Sequence, residues 1–597
     1  MYLFDIFRSF LPMRNPVGFG ASDWLVLAIA LLLIGLLIGR AWIGPYVARI
    51  SGQTLPTLCL FFALPILLRL ALLPHCPVPT PAGADDFSYI LLGDTLSHLR
   101  FASPTHSLHQ FFETVFVLQE PTYASIYPSG QGFILAFGKM IFQSFWAGVL
   151  LSTGALCALC YWMLRAWTSP TWAFVGGLLA VIQFSVLSAW LNSYWGGTVA
   201  ACAGCLVFGS LPRLEQHVRI RYGLLLGAGL ALAILTRPFE ALFLAVSVVA
   251  FVLFVSRTKL TSLARPALAG TGVIIAALSL ILLQNQAVTR SWTTLPYMLS
   301  RYQYGVPTTF TFEPNPIPHC ALTAEQDLDY RAQAAIHGPG PESFESYFER
   351  LGYRFRYMRF FLLPPLYFAL VAFVPSLRLR SYAWAAGTIG LFAFGTNFYP
   401  YFFPHYIAPV TCLFLMLSLR GLERLGDIKM LSARGGEIAA EYIVLVCGAS
   451  FLFWFGLYAY GGNKLLPVTI YQSWNFINYG DPEHRIAIQD QLHQAPGKQL
   501  VFVRYSPSHQ FHSWIHNAAD IDAAPVVWAN DLGSKENEKL LRYYADRKPW
   551  LLEPDAHPPL LRPYEIDAAV HPNSGMQQSE LDGDLAGSSR HGPGGVL

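Results

Sequence analysis

Long apolar runs separated by short polar connections occupy most of the chain up to residue 460. A membrane-spanning helix needs about 20 predominantly apolar residues, and about twelve runs approach that length. These runs are residues 23–43, 54–73, 145–164, 171–191, 197–211, 223–235, 239–255, 266–283, 358–374, 383–397, 406–419 and 438–460. The pattern predicts a polytopic α-helical membrane domain over residues 23–460, preceded by an extracytoplasmic or interfacial segment, residues 1–22.

Two long polar connections, residues 74–144 and 284–357, interrupt the membrane domain. Within the first, residues 132–142 are apolar, but they are too few to cross a bilayer and they include Lys139. We expect this stretch to form a helix that lies at, or dips into, the membrane interface.

Lysine and arginine are distributed unevenly between alternate connections. The short connections 192–196 and 398–405 carry none. The alternate set carries Arg40, Arg49, Arg165, Arg213, Arg219, Arg221, Arg257, Lys259, Arg265, Arg378, Arg380, Arg420, Arg424, Lys429 and Arg434. Because basic connections stay in the cytoplasm, we expect the N-terminus, both long connections and everything after Gly461 to lie outside.

The pattern changes after Gly461 to signals of short strands and a helix. Residues 499–503 and 525–528 resemble short buried strands, and residues 534–546 have helical spacing before the apolar stretch 549–552. We therefore predict a small extracytoplasmic α/β domain over residues 461–570, for which a parallel sheet is one arrangement. Residues 571–597 are rich in Gly, Ser and Pro and are predicted to be a disordered tail.

Composition agrees with a membrane protein. Hydrophobic residues make up 54% of the chain and charged residues 13%, whereas a soluble domain has about 25% charged residues. The net charge of +3 does not indicate a nucleic-acid partner. Residues 1–21 lack the apolar core and cleavage site of a signal peptide, and no Asn-x-Ser/Thr acceptor occurs. We expect a bacterial protein of the cytoplasmic (inner) membrane, with its C-terminal domain in the periplasm.

The nine cysteines do not form a convincing metal motif. The pairs Cys157/Cys160 and Cys202/Cys205 lie inside apolar runs without a nearby histidine or carboxylate. Helix packing is therefore a better explanation for them than zinc binding. Cys76 and Cys320 lie in polar connections and could form a disulfide only if both connections face an oxidising compartment.

Five polar and aromatic motifs fall on the predicted outer side of the membrane. They are Asp85-Asp86 with Tyr89 one turn later, the turn Tyr127-Pro-Ser-Gly-Gln131, the corner Asn192-Ser-Tyr194-Trp-Gly-Gly197, the break Thr236-Arg237-Pro-Phe-Glu240 and the stretch Tyr399-Pro-Tyr-Phe-Phe-Pro-His405-Tyr406. Each motif also has an ordinary structural explanation. The aspartates could cap a helix in water, Arg237 and Glu240 could neutralise one another, and His405 could belong to an interfacial aromatic belt.

The order and predicted side of these motifs resemble the GT-C class of integral-membrane glycosyltransferases. The resemblance is strongest to the group that includes protein O-mannosyltransferases and lipid A aminoarabinose transferases, and it covers residues 56–409. Asp85 and Asp86 match the acidic pair of that group, Tyr89 its following tyrosine, and Tyr127-Pro-Ser-Gly130 its proline turn. The chain departs from the group in having two predicted spans before the acidic pair, and some relatives carry lysine where Tyr127 stands.

The resemblance implies inverting transfer of a sugar from a polyprenyl-phosphate carrier to a glycan, lipid or protein acceptor at the outer membrane face. Asp85 is then the candidate general base. Asp86 would orient it, hold the acceptor, or hold a divalent cation such as Mg²⁺ or Mn²⁺. The lipid phosphate needs cations, for which Arg237 is best placed and Arg290 and Arg301 are weaker candidates. The full set of expected substrate-binding residues is Tyr89, Tyr127, Gln131, Tyr194, Arg237, Arg301, His405 and Tyr406.

Other functions remain open at the level of the sequence. A flippase or transporter of a lipid-linked saccharide would need charged groups in mid-span, and the spans here are poor in them. A non-catalytic subunit of an envelope complex would use the C-terminal domain as its working part. In that domain His509, His512 and His516 would share one face of a helix, where a polar or acceptor-binding face is favoured over a metal site.

Overall fold

The computed structural model describes residues 40–81, 83–338, 340–354, 361–363, 365–429, 434–460, 481, 484–509 and 513–565. The predicted N-terminal segment, most of the first predicted span and the predicted tail therefore lie outside the described residues. The helices up to residue 460 are α1 Arg40–Ser51, α2 Thr54–Ala71, α3 Ala84–Ser97, α4 Ser129–Phe142, α5 Phe145–Leu164, α6 Pro170–Phe184, α7 Gly197–Gln216, α8 Ile220–Thr236, α9 Pro238–Ala250, α10 Leu260–Thr289, α11 Pro296–Tyr304, α12 Ala324–His337, α13 Phe344–Arg354, α14 Leu366–Phe373, α15 Arg380–Thr396, α16 Thr411–Asp427 and α17 Gly435–Ala459.

The protein is a polytopic helical membrane protein, as the hydrophobic pattern predicts. Seven helical segments among the described residues are long and apolar enough to cross a membrane. They are Thr54–Ala71, Phe145–Leu164, Gly197–Gln216, Pro238–Val255, Leu260–Thr289, Pro404–Asp427 and Gly435–Ala459. The shorter apolar helices Pro170–Phe184, Ile220–Thr236 and Leu366–Arg378 complete the bundle together with α15.

Several predicted boundaries differ from the observed ones for identifiable reasons. The run predicted over 171–191 is helical only to Phe184, after which Ser185 leaves the helical conformation and begins a series of turns. The run predicted over 406–419 starts with a 3₁₀ turn, Pro404–Val410, because Pro409 inside it lacks the N–H group that a regular helix needs. An apolar run thus marks burial more reliably than it marks helix ends.

Small residues bring the central helices into close contact. A Cβ on Gly204 of α7 would lie 1.6 Å from the Pro409 carbonyl oxygen, so only glycine fits there. The Sγ atoms of Cys160 and Cys205 lie 3.6 Å apart across α5 and α7. These cysteines therefore pack helices, as predicted. Cys76 is buried and Cys320 is exposed, and both are free thiols.

The two long connections fold into helices at one end of the bundle. In the first connection, α3 and α4 flank a short antiparallel hairpin made of β1 Val117–Leu118 and β2 Ala124–Ser125. Residues 132–142 are helical, as predicted, within α4. The second connection carries α11, α12 and α13, and the Gln326 side chain donates a hydrogen bond to the Thr114 carbonyl oxygen over 3.3 Å. This contact joins the two connections, in agreement with their predicted location on one side.

The C-terminal domain contains a four-stranded sheet. Its strands are β3 Lys498–Val503, β4 Val526–Asn530, β5 Arg547–Glu553 and β6 Leu560–Pro563, in the order β4-β3-β5-β6. The three longest strands run parallel and β6 pairs antiparallel with β5. Helices α18 Arg485–Gln494 and α19 Ser534–Tyr543 complete the α/β domain that the sequence predicts. The sequence pattern missed β6, which has mostly exposed side chains.

The three histidines of this domain do not share a helix face. The described parts of residues 504–518 are irregular, and His512 lies outside the described residues. His509 Nδ1 lies 2.7 Å from the Asp555 carboxylate, and His516 stacks on Phe87 with ring centroids 4.3 Å apart. The helical arrangement expected from their spacing is therefore wrong.

The C-terminal domain packs directly on the acidic helix α3. The backbone N–H of Ala519 donates to Asp94 over 2.8 Å, and the Ser103 hydroxyl donates to the Ala519 carbonyl oxygen over 2.6 Å. Tyr123 donates its hydroxyl to the Asn517 carbonyl oxygen over 3.2 Å. These bonds fix the domain against the first long connection.

The predicted orientation can be tested with reporters that are active only outside the cytoplasm. We expect fusions after Leu73 and after Gly461 to be active, because the alternation of basic short connections places both positions outside the cytoplasm. A fusion after His217, just past the end of α7, should be inactive. A cytoplasmic signal from the Leu73 fusion would contradict the outer location of Asp85.

Candidate functional site

The two adjacent aspartates point in different directions from the start of α3. Asp85 and Asp86 lie in the first turn of that helix, where the positive end of the helix dipole stabilises carboxylates. Adjacent residues on an α-helix are separated by about 100° around its axis. Asp85 therefore faces Tyr127, whereas Asp86 accepts the backbone N–H of Tyr194 over 2.8 Å.

Asp85 is held by two stacked tyrosines. The Tyr127 hydroxyl donates a hydrogen bond to Asp85 Oδ1, and Tyr89, one turn along α3, stacks on the Tyr127 ring with centroids 4.1 Å apart. Burial raises the pKa of Asp85, while the Tyr127 hydrogen bond and the positive charge of Arg237 lower it. The residue is surrounded by protein but keeps some accessible surface.

The Tyr127-Pro-Ser-Gly-Gln131 turn brings Tyr127 next to Arg237. Gln284 of α10 clamps this turn, since its amide donates to the Tyr127 carbonyl oxygen over 2.9 Å and accepts the Ser129 N–H over 3.1 Å. A Cβ on Gly130 would lie 2.5 Å from the Thr236 side chain. Glycine therefore allows the turn to pack against the last residues of α8, immediately before Arg237.

Arg237 links α8 to α9 and carries the cation nearest to Asp85. Pro238 occupies the first position of α9, where a missing N–H does no harm, so the chain breaks at Arg237. The guanidinium lies over the Tyr406 ring, 5.2 Å from its centroid. Glu240 is buried one turn later and acts on Arg237 through its charge. Among the described residues, no carboxylate lies within the 4 Å of an ion pair with Arg237.

His405 and Tyr406 belong to an aromatic cluster beside Arg237. The His405 ring stacks on Phe403 with centroids 5.4 Å apart and meets the Trp195 ring edge-on at 5.5 Å. The ring centroids of Tyr406 and His405 lie 4.8 Å apart, and the Tyr406 ring packs against the face of the Arg237 guanidinium. His405 is therefore both a member of an aromatic belt and a neighbour of the candidate site.

Three predicted site residues form a supporting layer behind the cavity. Asp86 accepts the Tyr194 N–H, the Tyr194 hydroxyl donates to the Pro79 carbonyl oxygen over 3.0 Å, and Gln131 donates to the Tyr194 carbonyl oxygen over 3.0 Å. All three side chains are buried. Through these bonds they position the first connection.

The sequence analysis missed Arg69, which organises the same layer. Its guanidinium is fully buried at the end of α2 and donates to Asn192 over 3.1 Å and to the carbonyl oxygens of Cys76 and Pro77 over 2.8 Å. A charged residue within an apolar run requires partners. That rule was the available signal for Arg69.

The other two candidate arginines differ in position. Arg301 lies on α11 and donates to the Pro307 carbonyl oxygen over 3.3 Å, with its guanidinium 5.3 Å from the Tyr297 ring centroid. The charges of Arg237 and Asp85 both affect the pKa of Tyr297. Arg301 thus lies at the edge of the site. Arg290 is exposed at the end of α10 and does not join it.

The residues present do not fit a divalent cation. Among the described residues, no group of three or more His, Cys, Asp or Glu side chains is arranged to hold a metal ion. Asp86, the candidate ligand, binds the Tyr194 N–H instead of facing Asp85. The chemistry of the site is therefore derived from protein side chains alone.

A second enclosed carboxylate lies on the other long connection. Asp329 lies on α12, and burial together with the negative charge of Asp85 raises its pKa to about 7. The charges of Asp85 and Asp329 both affect the pKa of Tyr401, which lies in the connection between α15 and α16. One weak signal for this residue was present in the sequence: Glu325 and Asp329 are spaced i, i+4, so they share a helix face.

The bundle is that of a helical membrane protein whose two long connections meet at one end, next to Asp85 and Tyr127. Over 83% of its length the chain is similar to the oligosaccharyltransferase AglB from Archaeoglobus fulgidus, solved with an inhibitory peptide and a dolichol-phosphate, with 11% identity, 69% of that chain covered and a TM-score of 0.43. It is also similar over 83% of its length to ArnT from Cupriavidus metallidurans bound to undecaprenyl phosphate, with 13% identity, 92% of that chain covered and a TM-score of 0.49.

No family model and no curated protein sequence matches the chain. At the identities and scores of the solved structures, the likeness carries no information about activity. The function must therefore be derived from the site itself.

Proposed function

We propose that the protein is a membrane glycosyltransferase that moves a sugar from a polyprenyl-phosphate-linked donor to an acceptor at the outer face of the cytoplasmic membrane. One observation carries the proposal. A hydrogen-bonded carboxylate, Asp85, lies close to the cation of Arg237, which has no carboxylate partner within 4 Å among the described residues. A base and an unpaired cation side by side are what transfer from a phosphate leaving group needs.

The proposed step is an inverting displacement at the anomeric carbon. The acceptor hydroxyl attacks that carbon, forming a new C–O bond, and its proton passes to the Asp85 carboxylate. The bond between the anomeric carbon and the phosphate oxygen breaks, and its electron pair stays on the phosphate. Since phosphate is a good leaving group, the reaction needs a base more than it needs a strong general acid.

Arg237 is proposed to bind the phosphate throughout the reaction. A guanidinium offers a planar pair of N–H donors that matches two phosphate oxygens. Tyr406 supports its face, which leaves the edges for the ligand. As the glycosidic bond breaks, the negative charge on the phosphate increases, so the interaction becomes stronger in the transition state. Tyr89 and Tyr127 fix the base opposite this cation.

The proposed donor is lipid-linked because Arg237 lies at the junction of the apolar helices α8 and α9 and the chain lacks nucleotide motifs. Neither a Gly-x-Gly-x-x-Gly nor a Gly-x₄-Gly-Lys-Ser/Thr stretch occurs in a strand–turn–helix setting. A polyprenyl chain would dissolve in the bilayer while its head group meets Asp85 and Arg237. The carriers in the AglB and ArnT structures, dolichol-phosphate and undecaprenyl phosphate, belong to the same chemical class.

The donor class can be tested with the purified full-length protein in detergent. We expect transfer of radiolabelled sugar from a polyprenyl-phosphate sugar to acceptors in a membrane extract, and no turnover with nucleotide sugars alone. Extract from cells that lack the protein supplies the matched acceptor pool, and Asp85→Asn protein is the background control. Robust transfer from a nucleotide sugar, with lipid carriers removed, would refute the proposed donor.

A further inference from the structure

We infer that the C-terminal domain sets the direction of the candidate base Asp85 by fixing the rotation of helix α3, and that it does so through the stack of His516 on Phe87. His516 is then a positioning residue, which acts on the reaction through α3 and does not touch the substrates. This inference rests on the proposed function. It assigns to the C-terminal domain a part in the transfer reaction.

Helix α3 has different partners on opposite sides. Asp85 and Tyr89 are spaced i, i+4 and contact Tyr127. Phe87 and Asp94 are spaced i, i+7, so they share another face of the helix, and both contact the C-terminal domain. Since each residue adds about 100° around the axis of an α-helix, Phe87 lies about 200° from Asp85. The domain therefore holds α3 on the side opposite to the candidate base.

At the start of α3, the buried ring of Phe87 packs against two side chains of the domain. His516 stacks on it with ring centroids 4.3 Å apart and the ring planes 17° from parallel. The guanidinium of Arg485 lies 5.4 Å from the Phe87 centroid and 4.3 Å from the Trp514 centroid. Because stacked rings attract one another only while their faces overlap, a rotation of α3 would remove Phe87 from its partner.

The His516 ring is itself fixed to the sheet. It also stacks on Trp528 of β4 with centroids 5.1 Å apart, and its Nδ1–H donates to the Trp514 carbonyl oxygen over 2.7 Å. The next residue, Asn517, donates its amide to the Trp528 carbonyl oxygen over 2.8 Å and accepts the Trp528 N–H over 2.9 Å. His516 therefore belongs to a rigid edge of the domain, which is what a support for another helix requires.

A second attachment near the end of α3 fixes the helix along its length. The Ala519 N–H donates to Asp94 over 2.8 Å, and the Ala519 carbonyl oxygen accepts the Ser103 hydroxyl over 2.6 Å and the Arg100 guanidinium over 3.2 Å. Leu91, between the two attachments, belongs to the same buried apolar cluster as Ala519. Two attachments about two turns apart fix the rotation of a helix, whereas one attachment would leave it free to pivot.

The rotation of α3 matters because a general base must lie within hydrogen-bond reach of the proton that it takes. A misplacement of about 1 Å can cost about 10²-fold in rate. The side of α3 that carries Asp85 must leave room for the donor and the acceptor, so the helix depends on support from its other sides. A turn of α3 would move Asp85 away from the Tyr127 hydroxyl but would leave Arg237 in place, because Arg237 lies between α8 and α9.

The inference predicts that His516→Ala lowers kcat for transfer from a polyprenyl-phosphate sugar by about 10- to 100-fold. Free polyprenyl phosphate should inhibit this variant with the wild-type inhibition constant, because Arg237 is not attached to α3. His516→Phe keeps a flat ring for Phe87 to stack on and should recover most of the rate. His493→Ala is the matched control, since it removes an exposed histidine from α18 of the same domain, and it should leave kcat unchanged.

Phe87→Ala removes the same contact from the side of α3, so the test does not depend on recovery of the His516→Ala protein. If the stack is the cause, the double variant should lose no more rate than the more impaired single variant. Losses that multiply would overturn the inference. So would a normal kcat in His516→Ala, a His516→Phe protein as impaired as His516→Ala, or an inhibition constant that rises as kcat falls.

The Asp85→Asn protein separates failure of this inference from failure of the proposed function. If one of the contradicting results is found while Asp85→Asn is inactive, the proposed function stands and the C-terminal domain has another role. If Asp85→Asn turns over normally, the proposed function itself fails.

Discussion

Asp85→Asn should insert into the membrane normally and lose about 10²–10⁴-fold of its transfer rate, the usual loss when a general base is removed. Asparagine keeps the size of the side chain and an oxygen that can accept the Tyr127 hydroxyl, so the packing of Tyr89 on Tyr127 is preserved. What disappears is the group that takes the acceptor proton. The loss should therefore appear in kcat as well as in kcat/KM.

The measurement compares purified variants with a saturating polyprenyl-phosphate sugar. Asp86→Asn is an informative comparison, because asparagine still offers an oxygen to the Tyr194 N–H. We expect a loss equal to or milder than that of Asp85→Asn, and the position of Asp86 behind the cavity favours the milder result. Near-normal turnover by Asp85→Asn would refute the proposed mechanism. Equal rates for both variants would show that the supporting layer matters as much as the base.

The environment of Asp85 also fixes the sign of the pH dependence. Burial raises its pKa, and the Tyr127 hydrogen bond and Arg237 only partly oppose this effect. The carboxylate must be ionised to accept a proton, so activity falls as the pH drops through the raised value. The acid limb of the wild-type enzyme should therefore lie above the value of about 3.9 that an exposed aspartate would give.

The sequence predicts which motifs meet, because it predicts which ends of the helices face the same side. Asp85, Tyr127, Arg237 and His405 are far apart in the chain, yet each lies at the end of a helix that the charge pattern places outside. In the structure Tyr127 donates a hydrogen bond to Asp85, and Arg237 lies over the ring of Tyr406, which is in contact with His405. Proline and glycine signals at Tyr127–Gln131 and at Pro238 also correspond to the observed turn and helix break.

The sequence does not predict which way a side chain turns once the helix forms. Asp85 and Asp86 are equivalent in the sequence, but the rotation of α3 sends one to Tyr127 and the other to the Tyr194 N–H. Asp329 was missed for a related reason. It lies in a long polar connection, where carboxylates usually face water, and only the packing of α12 turns it inward. The i, i+3, i+7 spacing of His509, His512 and His516 suggested one face of a helix, but the described residues of this segment are irregular.

Arg237→Ala should lower kcat/KM for the lipid-linked donor by about 10²–10³-fold, the range found when one donor that stabilises a developing oxyanion is removed. The positive charge of the guanidinium acts on Asp85, and no carboxylate among the described residues lies within 4 Å of it. Its loss removes the proposed phosphate ligand without breaking an ion pair, but it also removes the positive charge that acts on the buried Glu240. Arg237→Lys should recover part of the loss, since an ammonium keeps the charge but not the paired N–H donors.

Two comparisons separate phosphate binding from structural damage. Arg290→Ala removes an exposed arginine from the end of α10 and should leave kcat/KM unchanged. Free polyprenyl phosphate should inhibit the wild-type protein by competing with the donor, and its inhibition constant should rise in Arg237→Ala in parallel with KM. Inhibition that stays as strong in Arg237→Ala would place the phosphate elsewhere, with Arg301 at the edge of the site as the next residue to substitute. An unchanged KM together with a reduced kcat would mean that Arg237 acts only on the charge that develops as the glycosidic bond breaks. Binding of the donor in the ground state would then have to come from other groups of the site.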